Sequence, residues 1–119
     1  MKNALAGLLA LLALFFIFRK ASAASGFPLV VGGNAFYYRG PPERGTPQEI
    51  MADLIVQAPL AFQGLRHYDF ALKKWHFWDR DKPDWANDLT ELIAREIYVV
   101  WMVAEYTWQT DRWQPYPPV

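Results

Sequence analysis

Residues Ala4–Phe18 are fifteen consecutive apolar or small side chains, and this run constrains the chain more than any other feature. It is long for a signal h-region and short of the ~20 residues that usually cross a bilayer. As a helix it would span roughly 23 Å against a hydrocarbon core of about 30 Å, a mismatch that flanking basic residues can absorb. Six Leu, three Phe and one Ile favour insertion by something on the order of −3 to −6 kcal/mol. Two fates are consistent with this: a signal peptide cut after Ala21-Ser22-Ala23, or a retained anchor. Arg19-Lys20 stands between the apolar run and that triplet, where a signal peptide is normally uncharged, and a dibasic pair there resists transfer. The reading is therefore a single-pass membrane protein with an anchor over residues 1–24, carried by Leu5, Leu8, Leu9, Leu11, Leu12, Leu14, Phe15, Phe16, Ile17 and Phe18 and flanked by Arg19 and Lys20. A bacterial inner, organelle or virion membrane would suit it, and the side on which the remainder lies is open.

About 95 residues then remain for one small domain. There is no Cys, so disulfides, a thiolate nucleophile and Cys-type zinc sites are excluded. Three of the twelve cations (Lys2, Arg19, Lys20) flank the apolar run, leaving nine cations against twelve anions from Ala21 onward, a net of −3. With no basic run longer than a pair, nucleic acid is not an expected partner. Aromatics make up 17% of the chain, including six Trp, more than a minimal core of this size needs.

Along the chain, Phe27–Val31 and Ala35–Arg39 are β-prone runs around Gly32-Gly33-Asn34, which predicts a β-hairpin over 27–39. Thr46-Pro47-Gln48-Glu49 has the pattern of a capping box with Pro at the first helical position, and the apolar spacing after it predicts a helix over about 47–57, ending before Pro59. Leu60 to Phe70 reads as a second helix interrupted by Gly64. From Asp84 a helical stripe predicts a long helix over about 84–109. Its middle, Ile97–Ala104, is apolar on every side, so it is a strand or a helix covered all round, and the surrounding Glu91, Arg95, Glu96 and Glu105 favour the helix. Trp113–Val119 reads as a Pro-rich extended tail. The expected fold is mostly α with a small β-hairpin: a transmembrane helix followed by a small α+β extramembrane domain over 25–112 and the tail over 113–119.

The residues offer little for catalysis. Ser occurs only at 22 and 25, beside the anchor. His67 and His76 are nine apart, a spacing that fits no metal pattern on one helix face. The pairs Asp79/Asp81 and Asp84/Asp88 lie among Arg80 and Lys82, which favours a solvated face over an acid/base pair. No enzyme activity, cofactor or metal is expected.

The Lys73–Pro83 stretch is the most distinctive, with four consecutive rings at Trp75-His76-Phe77-Trp78. Such a cluster suits a protein interface, a lipid headgroup region or a small core. Trp75, Phe77, Trp78, Tyr98, Trp101, Trp108, Trp113 and Tyr116 are the candidate contact residues for a partner or a membrane interface. The function expected is a non-catalytic structural or accessory subunit of a larger membrane-associated assembly, a bioenergetic complex or a membrane-containing virion, with the lipid bilayer and other protein subunits as partners. The alternative is a secreted periplasmic protein, its signal peptide cleaved, whose aromatic cluster binds a small ligand or a carbohydrate.

Overall fold

The computed structural model describes residues 26–117. The expected anchor, residues 1–24 with its side chains from Leu5 to Lys20, lies outside the described residues. Among those described, no helix is long and apolar enough to cross a membrane, so the single-pass membrane placement is not retained. The expected mostly-α fold is also overturned, because the chain is mostly β.

Among the described residues, nine strands and two short helices follow in the order β1 (Gly26–Leu29), β2 (Gly32–Tyr38), β3 (Arg44–Gly45), α1 (Pro47–Ile50), α2 (Ala52–Gln57), β4 (Phe62–Asp69), β5 (Lys74–Asp79), β6 (Leu92–Ile93), β7 (Glu96–Met102), β8 (Tyr106–Gln109) and β9 (Trp113–Pro115), with a 3₁₀ turn at Asp84–Ala86. The main sheet is five-stranded, in the order β5-β4-β7-β2-β9, and every pairing in it is antiparallel. Two-stranded ladders β1-β8 and β3-β6 complete the fold.

The predicted long helix over 84–109 is replaced by the 3₁₀ turn, β6, β7 and β8. The apolar middle is a central strand: Ile97, Val99 and Val100 are β-branched, and with Tyr98 and Trp101 they suit a pleated surface. Apolarity on all sides reflects a strand flanked by β2 and β4 and lined with large side chains on both faces, which hydrophobicity alone does not distinguish from a buried helix. The predicted helix over 60–70 is strand β4. Its Gly64 marks a register shift between Phe62↔Met102 and Gly64↔Trp101, a β-bulge. A Cβ on Gly64 would stand 2.1 Å from the Trp78 carbonyl oxygen, so only glycine lets β5 approach there.

The predicted hairpin over 27–39 is not one. β1 and β2 are successive pieces of a bent strand, and both pair with the β7–β8 segment, from Gly26↔Gln109 to Tyr38↔Glu96. Asn34 holds the bend: its Oδ1 accepts from the Val30 N–H (2.9 Å), and its Nδ2 donates to the carbonyls of Val30 (2.9 Å) and Val100 (3.2 Å). In place of the predicted helix over 47–57 stand α1 and α2, divided at Met51. Thr46 Oγ1 accepts from the Glu49 N–H (3.2 Å), and Glu49 Oε1 accepts from the Thr46 N–H (3.3 Å), closing the capping box. The Pro-rich segment does not hang free, since Trp113–Pro115 forms edge strand β9 on β2.

The core lies on one face of the sheet. Phe36, Tyr38, Leu65, Trp78, Tyr98, Val100 and Met102 point inward, where Ile50, Met51 and Leu54 of the α1–α2 segment, Leu89 and Leu92, and Trp108 and Trp113 are buried with them. Trp108 packs on Phe36 (5.3 Å between ring centroids) and Trp113 (5.7 Å), and Trp113 on Tyr38 (4.7 Å). Burial pushes the Tyr98 phenol up to about 12, and its hydroxyl accepts from the Ile93 N–H (2.8 Å).

Candidate ligand-binding face

Side chains alternate along a strand, so the residues between the core positions emerge on the opposite face of the sheet. Across it, the register aligns Phe77 with Arg66, Arg66 with Val99 and Val99 with Ala35. Beside that row, Trp75 pairs with Tyr68, and Tyr37 with Ile97 and Gln114. The Tyr68 ring meets Trp75 (5.2 Å, 68° between planes) and Phe70 (4.9 Å, 78°) edge to face, the favourable arrangement for aromatic quadrupoles.

Arg66 is at the centre of this face. Its Cζ lies 4.2 Å from the Trp101 ring centroid and 5.0 Å from that of Phe77, so two aromatic rings cover the guanidinium. Gly33, opposite Trp101 in the register, makes room for this: a Cβ there would stand 2.9 Å from Val99 Cγ1 and 3.1 Å from the Trp101 ring. The Arg66 Nη1 atom is sealed from solvent and has no hydrogen-bond partner.

These side chains enclose a groove of about 640 Å³, with Tyr68, Phe70, Trp75, Tyr37 and Tyr116 among its walls, Val99 and Ile97 among its apolar lining, and Arg66, His67, Asp69, Arg95 and Glu96 as polar groups. That volume is in the range of small-molecule sites. A second cavity, of about 540 Å³, lies between Phe27, Phe36 and Pro115, but its polar side chains are only Asn34 and Gln114, and Asn34 is committed to the strand bend.

Several charges near the groove are already matched. Arg95 donates to both carboxylate oxygens of Glu43 (2.9 and 2.6 Å), which lowers the Glu43 pKa and raises that of Arg95. Asp69 Oδ1 accepts from the Ala71 and Leu72 N–H groups (2.9 and 3.1 Å) and closes the β4–β5 hairpin. The Leu72 N–H, with His76, holds the Asp69 carboxyl below its usual range. His76 lies between Asp88 (Nδ1 to Oδ2, 3.0 Å) and Asp69 (Nε2 to Oδ2, 3.4 Å). Burial would raise the Asp88 pKa, but the Phe77 N–H and His76 outweigh it and the net shift is downward. This Asp-His-Asp cluster has no nucleophile: the described residues contain no Ser or Cys, and both imidazole nitrogens face carboxylates. It fastens the segment after the 3₁₀ turn to the sheet edge, where Asp88 Oδ1 also accepts from the Phe77 N–H (2.7 Å) and Asn87 Oδ1 from the Asp79 N–H (2.9 Å). Among the described residues no group of three or more His, Asp or Glu side chains could hold a metal ion.

The eight aromatic contact candidates divide into two sets. Trp75, Phe77, Trp101 and Tyr116 are on the outer side, with Trp75 46% exposed and Tyr116 49%. Trp78, Tyr98, Trp108 and Trp113 are core residues, at most 7% exposed, and a partner cannot reach them; strand parity, invisible in a helical reading, puts them inside. Sequence reasoning missed Tyr37, Arg66, Tyr68 and Val99. Glu96–Met102 is apolar at every position after Glu96 and Phe62–Asp69 carries a bulge, so no clean period-two pattern in the sequence marks Arg66, Tyr68 or Val99. No protein-family model, curated protein or solved structure matches this chain, so its function is argued from this face alone.

Proposed function

We propose that the protein is a non-catalytic binding protein that takes a small amphipathic ligand into the groove on the outer face of its five-stranded sheet. One observation carries this reading: a concavity of small-molecule size is walled by aromatic rings on the outer face of the sheet. Rings on both sides can sandwich an apolar body, while the hydroxyls of Tyr37, Tyr68 and Tyr116 and the Arg66 guanidinium offer orienting contacts.

Titration with the neutral fluorophore N-phenyl-1-naphthylamine tests it. Saturable fluorescence enhancement is expected for the native protein, with loss of the signal in the double variant Tyr68→Ser/Trp75→Ser and retention in Trp85→Ser, whose ring is 88% exposed and outside the groove. No saturable binding, or binding indifferent to the double variant, would overturn the reading.

A second reading, an accessory subunit that docks on a larger protein assembly through the same face, is favoured by the hairpin tip. Phe70 and Leu72 stand 83% and 63% exposed there and extend the apolar surface past Trp75. For that reading, the protein from a native extract should elute at the size of a complex and return to monomer size in Phe70→Ser/Leu72→Ser.

A further inference from the structure

The groove holds a cation that the fold does not match. Four of the other five described arginines are occupied: Arg44 pairs with Glu91 (3.6 Å), Arg95 with Glu43 (2.6 Å) and Arg112 with Asp53 (3.7 Å), while Arg80 Nη1 donates to the carbonyls of Pro59 (2.7 Å) and Phe62 (3.1 Å); the fifth, Arg39, is exposed to solvent, whereas Arg66 has a buried nitrogen. Among the described residues no carboxylate lies within 4.0 Å of the Arg66 guanidinium, and its nitrogens make no hydrogen bond to protein. A buried N–H left without an acceptor carries the full cost of its desolvation, which Nη1 bears in this fold; Nε and Nη2 are not sealed in this way and are the edge of the guanidinium that an acceptor can approach.

The surroundings limit what that acceptor can be. Trp101 and Phe77 lie close against the guanidinium carbon, and the planar fork of N–H donors matches the two oxygens of a carboxylate. The chain's own acids cannot serve. Asp69 is held by two backbone N–H groups and His76, and Glu43 by Arg95. Glu96 begins β7, three residues before Val99, the cross-strand partner of Arg66, and so lies roughly 10 Å away along the strand. Beside the fork the lining is aromatic and aliphatic, which suits an apolar body.

On the reading that the groove takes a small ligand, we infer that this ligand is an organic carboxylate with an aryl or alkyl body: the carboxylate is seated on Arg66 and the body lies between Tyr68/Trp75 and Tyr37/Tyr116. Arg66 supplies both the charge and the orientation, and the stacked rings keep its fork in place so that little side-chain freedom is lost on binding.

Displacement of N-phenyl-1-naphthylamine by 4-phenylbutyrate and by 4-phenylbutyramide tests this, because the two competitors share a body and differ in charge. The carboxylate is expected to displace the probe at about one tenth of the amide concentration or less, the advantage of a charge-assisted hydrogen-bonded pair. In Arg66→Gln the two competitors should become equivalent, each measured against that variant's own affinity for the probe. In the native protein, the Arg66 Nε–H resonance should move with phenylbutyrate and not with the amide, a measurement that does not depend on the variant folding. Equal competition by the two compounds in the native protein, with the Nε–H resonance unmoved, would overturn the inference and leave the groove reading intact. Failure of the probe itself to bind would remove the groove reading and this inference with it.

Discussion

The two faces of the five-stranded sheet are almost equally aromatic and have opposite fates. On the inner face Phe36, Tyr38, Trp78 and Tyr98 are buried with Trp108 and Trp113, at most 7% exposed. On the outer face Tyr37, Tyr68, Trp75, Phe77 and Trp101 occupy strand positions of the opposite parity and border a groove or pack on an arginine. Residue type does not separate a packing ring from a contact ring in this molecule; strand parity does. Trp75 and Trp78, three positions apart on β5, are on opposite sides. The inner rings touch one another from several strands, whereas the outer ones contact near neighbours and leave space between them. One face gains its free energy on folding, and the other retains apolar surface that a ligand can still remove from water.

Substitutions on the two faces should show this difference, and the largest effect belongs to the core. Trp108→Ala empties the centre of the aromatic cluster and is expected to cost about 3–5 kcal/mol by urea denaturation. A loss no larger than that of an outer-face variant would mean that the inner face is not the core. Gly64→Ala comes next. Its Cβ would collide with the Trp78 carbonyl, a backbone atom that cannot move without parting β4 from β5, so a loss above ~2 kcal/mol is expected in the same measurement. That variant should also disturb the outer face, because Arg66 and Phe77 lie on the two strands that would part.

Trp75→Ser should separate the faces most clearly. With the ring 46% exposed, a stability loss under about 1 kcal/mol is expected together with loss of probe binding in the groove. A loss as large as that of Trp108→Ala would show Trp75 to be structural.

The smallest effect concerns pH. Asp69 and Asp88 both have lowered pKa values in the folded state, so the unfolded chain binds protons more tightly. The stability they contribute is complete above the unfolded carboxylate value of about 3.9 and is lost as the pH falls through the lower folded values. Asp88→Asn should therefore flatten the acid limb of the stability profile below about pH 4 while costing less than ~1 kcal/mol at neutral pH, since the His76–Asp88 pair is half exposed on its acid side. An unchanged acid limb would show that the fastening of this segment to β5 does not depend on that charge.

Features whose energetics are local were legible in the sequence. The capping box at Thr46 and Glu49 is closed within four residues, and Pro59 excludes further helix from its own geometry. The lack of Cys, and of Ser outside the N-terminal segment, removed whole classes of chemistry without any fold. The stretches 60–70 and 84–109 misled because a short apolar run satisfies both periods. Gly64 reads as a helix interruption from sequence and is a bulge in the sheet, and Gly32-Gly33-Asn34 reads as a turn although the bend falls one step earlier, at Val30-Val31. Of the groove, the sequence marked Trp75 and Tyr116 among the aromatic candidates, and Phe77 and Trp101 of the Arg66 stack, but not Arg66 itself.

What the sequence determined by itself is a small, cysteine-free, strongly aromatic chain, apolar enough to bury a core. Tertiary structure decided which aromatic rings became that core, which remained outside and which cation they surround. The physical reason is the order of the strands. Period-two alternation allots side chains to faces only after a strand has neighbours, and the neighbours of β7 are β2 and β4, segments some sixty and some thirty-five residues away in the chain.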